Sequence, residues 1–174
     1  MSAPGGVLAL DLSYVTGWAY GCPEVDRPAY GTWHLPTHIS WGAGFAALEN
    51  ELDDALEMFR PSEVAVEAPL DRAMAATARG TRNEEASFQQ FALAGIVEAT
   101  AYRHSVRVQR VHCCTARKAV IGVGNLPRKE AKAAVLRYCS WRGWKEVPDD
   151  NCADALIVWQ HRASILKLRG RIAA

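Results

Sequence analysis

Two short apolar runs in this chain each end on a carboxylate: Val7-Leu8-Ala9-Leu10-Asp11 and Val64-Ala65-Val66-Glu67. Apolar runs of this length, rich in β-favouring residues, are the pattern of strands buried in a sheet. Two such strands more than fifty residues apart, with a helical pattern between them, call for an α/β architecture with helices packed on the sheet. Each strand also delivers an acidic side chain to its C-terminal end.

The rest of the chain fits around them. Thr16 to Gly21 and Ala29 to Leu35 are aromatic-rich segments separated by a turn region, so with the first run they form an antiparallel meander. Ser40 caps a helix whose apolar residues Phe45, Leu48, Leu52, Leu56 and Phe59 recur at three- and four-residue steps, and Pro61 stops it. Residues 71–83 read as a polar loop carrying Arg72, Arg79 and Arg82. Residues 84–104 read as a helix with Phe88, Phe91, Leu93, Ile96 and Val97 on its apolar side. Val106 to Val111 alternates as a half-exposed strand does. Three more helical stretches follow, at Thr115–Ile121, Pro127–Trp141 and Asp150–Leu168, before a basic tail at 169–174 that reads as frayed. The predicted order is β-β-β-α-β-α-β-α-α-α: one domain over 1–174, with a mixed sheet of a three-stranded antiparallel meander plus parallel strands, flanked by helices. A length of 174 residues and a hydrophobic fraction of 49% suit a single self-sufficient core.

No apolar run approaches the roughly 20 residues of a membrane-spanning helix, and the N-terminus lacks the basic stretch of a signal peptide. The five cysteines form no C-x-x-C pair, so reduced thiols and a cytoplasmic location are expected.

A formal net charge of +1 conceals an asymmetry. Residues 1–101 hold 14 acidic and 5 basic side chains, whereas residues 102–145 hold 11 basic side chains and one acidic, Glu130. A basic block this dense is an electrostatic footprint that polyanions attract. The plainer alternative is a solvated helix face balanced by the acidic half of the fold.

Asp11, Glu67 and Asp154 stand out because each borders apolar sequence, and burying a lone carboxylate is unfavourable unless something pairs with it. With the strands of Asp11 and Glu67 adjacent, both acids emerge at one sheet edge. Asp154, near a helix start, can face them, with Asp150 one turn away. Such a cluster suits hard divalent cations, magnesium or manganese. Each acid also has an ordinary reading: Asp11 capping a turn, Glu67 satisfying a loop, Asp149, Asp150 or Asn151 capping a helix, and Asp154 pairing with an arginine. The five histidines show no ligand spacing, and the six tryptophans sit mostly at apolar positions, with Trp141 and Trp144 flanking Arg142 and Gly143 as candidates to stack on bases.

Four segments, in order, resemble the RuvC-type Holliday-junction resolvases of the ribonuclease H-like superfamily. Leu8 to Ala19 resembles their first strand and hairpin, and Val64 to Pro69 their second acidic strand. Arg117 to Gly124, followed by Arg128 and Lys129, resembles their basic glycine-containing stretch, and Asn151 to Leu156 their closing acidic helix. The resemblance implies a ribonuclease H-like fold and metal-dependent hydrolysis of phosphodiesters in branched DNA. Asp11, Glu67, Asp154 and Asp150 would be catalytic and would hold two Mg²⁺ or Mn²⁺ ions. Arg117, Lys118, Gly122, Gly124, Arg128, Lys129 and Lys132 would meet the DNA backbone, with Arg79 and Arg82 reaching in from the 71–83 loop. The family commonly carries Asp or His three residues before the last Asp; here that position is Asn151, and the reading favours Asp150 over it as fourth ligand. Leu12-Ser13 also replaces the family's frequent Pro-Gly, marking a divergent member, of phage type on this reading.

Cutting two strands symmetrically implies a homodimer, and the 84–104 helix, with Ala92, Ala94 and Gly95, is the candidate interface. Three alternatives are carried. A ribonuclease H-like nuclease would act on RNA or RNA–DNA hybrid, and an inactive module would bind branched DNA without cutting it, a reading that Asn151 favours. The Asp-x-Ser-x-x-Thr-Gly opening also resembles the first phosphate loop of actin-like sugar kinases, which need a second domain for which 174 residues leave no room.

Overall fold

Side-chain parity along the central strands decides which helix each face receives. In a computed structural model that describes residues 5–37, 39–68 and 84–172, five strands form one sheet in the order β3-β2-β1-β4-β5. Here β1 is Val7–Asp11, β2 Val15–Gly21, β3 Ala29–His34, β4 Glu63–Glu67 and β5 Arg107–Val111. β1, β2 and β3 pair antiparallel, while β4 runs parallel to both β1 and β5. The meander and the mixed sheet are as the sequence predicts.

On one face, Leu8 and Leu10 of β1 and Val64 and Val66 of β4 meet Leu48, Leu52 and Leu56 of α1 (Trp41–Phe59) and Leu93 and Val97 of α2 (Glu84–Arg103). Leu8, Leu10, Val64 and Val66 are completely buried, each worth about 1.5–3 kcal/mol of transfer free energy. α1 starts where Ser40 Oγ accepts from the Ala43 N–H at 3.1 Å, and ends at Arg60 in the left-handed region, φ 46°. On the other face, the small residues Ala9, Ala19 and Ala65 let a long helix approach closely. This is α5 (Asp150–Ile172), which carries Cys152, Ala153, Ala155, Leu156 and Trp159 into the core; α3 (Cys113–Ile121) and α4 (Arg128–Trp141) pack beside it.

One ionic group lies in the core at the far end of β4. Glu63 is fully buried and receives both arms of Arg162, Nε to Oε1 at 2.7 Å and Nη2 to Oε2 at 2.9 Å. Arg107 Nη2 adds a third bond at 3.2 Å, tying β4, β5 and α5 together. Such a cluster is tolerated because every charge has partners.

Several sequence expectations are corrected. Phe88 and Phe91 are exposed, at 60% and 49%, while Leu93, Ala94, Val97 and Ala101 make the buried stripe of α2. Ala94 is thereby committed to the chain's own core, so of the small residues proposed for an interface only Ala92 and Gly95 reach the surface. The basic tail does not fray at 169: α5 continues helical to Ile172. Trp144 is core, its Nε1–H donating to Asp26 O at 3.0 Å, whereas Trp141 is 77% exposed. All five cysteines are free thiols. Among the described residues, no helix is long and apolar enough to cross a membrane.

Candidate active site

Residues 7, 9 and 11 of β1 point to the α5 face, as do 63, 65 and 67 of β4. The parallel register runs Val7↔Glu63 through Leu10↔Val66, so Asp11 and Glu67 leave the sheet side by side, at its C-terminal edge and on the face that α5 covers. That edge is where open α/β sheets place their ligands.

The third acid arrives because of a glycine. Gly17 sits opposite Asp11 in the β1–β2 ladder. A Cβ there would fall 2.1 Å from Asn151 O and 2.5 Å from Cys152 N, so the first turn of α5 rests directly on the β2 backbone. The Asn151 side-chain amide donates to Val15 O at 2.8 Å, pinning the same contact. Asp149 caps the helix, its Oδ1 accepting from the Cys152 N–H at 2.8 Å. One turn further on, Asp154 is brought into electrostatic range of Asp11 and Glu67.

The three carboxyls perturb one another. Burial, then the Glu67 and Asp154 charges, raise the Asp11 pKa well above its ordinary 3.8. At the start of α3, burial and the nearby Glu67 charge push the Cys113 thiol far up, which leaves it a poor nucleophile. Burial also raises Asp154, and Arg117 offsets that only in part.

Arg117 projects from α3 onto Asp154 as a fork: Nη2 donates to Oδ1 at 2.9 Å and Oδ2 at 3.0 Å, and Nε to Oδ1 at 3.3 Å. Burial opposes the guanidinium charge, yet Asp154 and Glu67 leave the Arg117 pKa raised. Lys132 of α4 is ion-paired with Asp150. Among the described residues, no three or more His, Cys, Asp or Glu side chains already surround a common point as metal ligands would. Two of the four predicted acids, Asp150 and Asp154, are engaged by cations of the chain itself.

The donor set nevertheless fits a hard divalent ion. It is made of carboxylate oxygens, it is partly enclosed, and burial and mutual repulsion raise the Asp11 pKa, a crowding of negative charge that a bound cation relieves.

No family model matches the chain, and no curated protein matches it by sequence. Solved structures do. RuvC of T. thermophilus in complex with a Holliday junction substrate superposes with a TM-score of 0.73 at 19% identity, covering 94% of this chain and 96% of that one. Thermus thermophilus RuvC alone gives 0.68 at 20% identity over the same shares, 94% and 96%. The yeast mitochondrial Holliday junction resolvase Ydc2 gives 0.63 at 14% identity, over 97% of this chain and 82% of that one.

The fold is that of the RuvC-type resolvases.

Within this RuvC-type fold, the predicted basic residues separate into two groups. Arg117 and Lys132 turn inward onto acids, whereas Lys118, Arg128 and Lys129 are exposed. Gly122 is the left-handed cap of α3, φ 82°, and its N–H is already bonded to Lys118 O at 3.1 Å; its first role is to end the helix. Gly124 lies where a Cβ would meet Cys114 O at 2.6 Å, so it packs against α3. Arg79 and Arg82 lie outside the described residues. Sequence reasoning missed Gly17 and Cys113 as parts of the site; the available signals were the glycine facing Asp11 across a hairpin and the thiol that opens the Arg117 helix.

Proposed function

We propose that this chain is a divalent-metal-dependent endonuclease that resolves four-way DNA junctions. The observation that carries the proposal is the convergence of Asp11, Glu67 and Asp154 at the C-terminal edge of a RuvC-type sheet, beside an exposed basic segment. Asp11, Glu67 and Asp154 would hold Mg²⁺ or Mn²⁺, two ions in this reading, with Asp150 as fourth ligand; Asn151 is engaged with Val15 O. Bound there, divalent ions supply an activated water and charge neutralisation at the scissile phosphate.

The chain's own residues do the remaining work. Glu67 is carried at the end of β4, whose pairing with β1 and β5 fixes where its carboxylate enters the site. Asp11, whose pKa is raised by burial and the Glu67 charge, would be drawn to its charged form by an entering cation. Lys118, Arg128 and Lys129 are exposed on the α3–α4 side and neutralise backbone phosphates; Arg79 and Arg82 belong to the same proposed track on sequence grounds. Paired cuts across a junction require two such sites, hence a two-fold dimer, with the exposed side of α2 as its interface.

The test uses purified protein with labelled four-way junction, linear duplex and RNA–DNA hybrid, in Mg²⁺, Mn²⁺ or EDTA. Symmetric paired nicks on the junction, lost in EDTA and in Asp11→Asn, support the proposal. Junction binding without nicks in either metal would make the chain a non-cutting recognition module, and cutting of hybrid as fast as junction would make it a ribonuclease H-type enzyme.

A further inference from the structure

The basic segment and the acidic site are not merely neighbours; two members of the first are plugged into the second. Arg117 gives both oxygens of Asp154 a hydrogen bond, and the pair is secluded, with only 16% and 17% of the two side chains exposed. Lys132 of α4 is ion-paired with one oxygen of Asp150, a pair that is more open, at 36% and 35%. A guanidinium fork on both oxygens of an aspartate competes with a metal for the same carboxylate, and it already supplies the charge that a metal would bring. Yet the same guanidinium, in the same basic block, is chemically the group best suited to a phosphate diester, which it also takes by a fork.

Resting on the metal-site reading above, we infer that Arg117 is an internal counter-ion that makes metal loading conditional on DNA. In the free protein it holds Asp154; when a phosphodiester enters the edge of the sheet, Arg117 exchanges Asp154 for phosphate oxygens, and the released carboxylate becomes available to the divalent ion. Lys132 and Asp150 form a weaker, more solvent-exposed copy of the same switch. Nothing covalent is required: one ion pair is traded for another, and the site's charge stays close to balanced at each stage. The arrangement keeps the free protein from assembling a loaded hydrolytic site away from substrate. It also makes binding reciprocal: whatever factor DNA adds to metal affinity, metal must add to DNA affinity. Couplings of this kind commonly amount to 5–150-fold.

The experiment measures Mn²⁺ binding by electron paramagnetic resonance, with and without a four-way junction whose crossover linkages are non-hydrolysable. Wild type is expected to bind Mn²⁺ at least roughly 10-fold more tightly with the junction present, and Mn²⁺ to tighten junction binding by the same factor. Arg117→Met is expected to bind Mn²⁺ about 10-fold more tightly than wild type without DNA and to lose most of the dependence on DNA. Arg117→Lys, which keeps the charge but not the fork, falls between them. Equal Mn²⁺ affinity in wild type with and without junction, or an Arg117→Met variant that binds Mn²⁺ no better than wild type, overturns the inference. Asp11→Asn separates the two levels. If it abolishes Mn²⁺ binding everywhere while Arg117→Met changes nothing, only the counter-ion role fails; if Asp11→Asn binds Mn²⁺ like wild type, the metal site itself is misplaced. Should Arg117→Met fail to fold, the wild-type comparison and Lys132→Met, expected to shift Mn²⁺ affinity in the same direction by a smaller factor, decide the matter.

Discussion

Gly17→Ala is the smallest change that should take the site apart. The new Cβ would lie 2.1 Å from Asn151 O, 2.2 Å from Asn151 C and 2.5 Å from Cys152 N, against ordinary contacts beyond 3.4 Å. All three are backbone atoms in the first turn of α5, so no rotamer change relieves the clash. The turn has to retreat by roughly 1 Å, breaking the Asn151–Val15 bond and carrying Asp154 away from Asp11 and Glu67. Overpacking of this kind destabilises by about 1–3 kcal/mol. At about 2–4 °C per kcal/mol for a chain of this size, Tm falls by about 2–12 °C, as thermal melts followed by circular dichroism will show. A displacement of roughly 1 Å among reacting groups lowers rates by about 100-fold, so junction nicking should fall by that order. Junction binding should change little, since Lys118, Arg128 and Lys129 lie on other elements. A variant that melts and nicks like wild type would refute the reasoning. A variant that melts lower but nicks at the wild-type rate would show that the Gly17 contact serves only the fold.

Arg162→Met strips both arms from a fully buried carboxylate and should destabilise by about 3–5 kcal/mol in urea denaturation. Arg107→Ala, whose side chain is 55% exposed and which leaves both Arg162 bonds intact, should change stability by no more than about 1 kcal/mol in the same assay. Asp11→Asn should stabilise the metal-free protein at neutral pH. Below 3.8 both folded and unfolded wild type hold the Asp11 proton; above it the unfolded chain releases the proton while the fold retains it, so this group lowers stability as pH climbs toward its raised native pKa. The wild-type minus Asp11→Asn difference in Tm, measured in EDTA, should therefore grow more negative from pH 4 upward, and a flat or rising difference would contradict the burial and crowding of Asp11.

The sheet was readable because buried strands announce themselves: Val7–Leu10 and Val64–Val66 have no polar interruption, and parity alone then puts Asp11 and Glu67 on one face. Helix α1 was equally plain, since Ser40, a single apolar stripe and Pro61 all agree. Helix α2 was overread. At 3.6 residues per turn, Phe88 and Phe91 lie roughly 180° and 120° around the axis from Val97, so counting them into one apolar side merged the buried stripe with the exposed face. The partners of the charged residues were the least legible. Nothing local tells whether Arg117 faces solvent, DNA or an acid; that depends on α3 lying beside α5, a tertiary fact. The Glu63–Arg162 pair, 99 residues apart in sequence, is invisible for the same reason. Conversely, Asp149 rather than Asp150 or Asn151 caps α5, so one of the ordinary explanations for that acidic run applies to a single residue and leaves Asp150 for other work.

Under the proposed function, Asp11, Glu67 and Asp154 together hold divalent cations. Anomalous diffraction from Mn²⁺ in crystals grown with the non-hydrolysable junction tests it most directly. Manganese peaks are expected within ligating distance of Asp11, Glu67 and Asp154, with Arg117 turned from Asp154 to a DNA phosphate. Manganese located elsewhere, with Asp154 still in the Arg117 fork while the junction is bound, would contradict it.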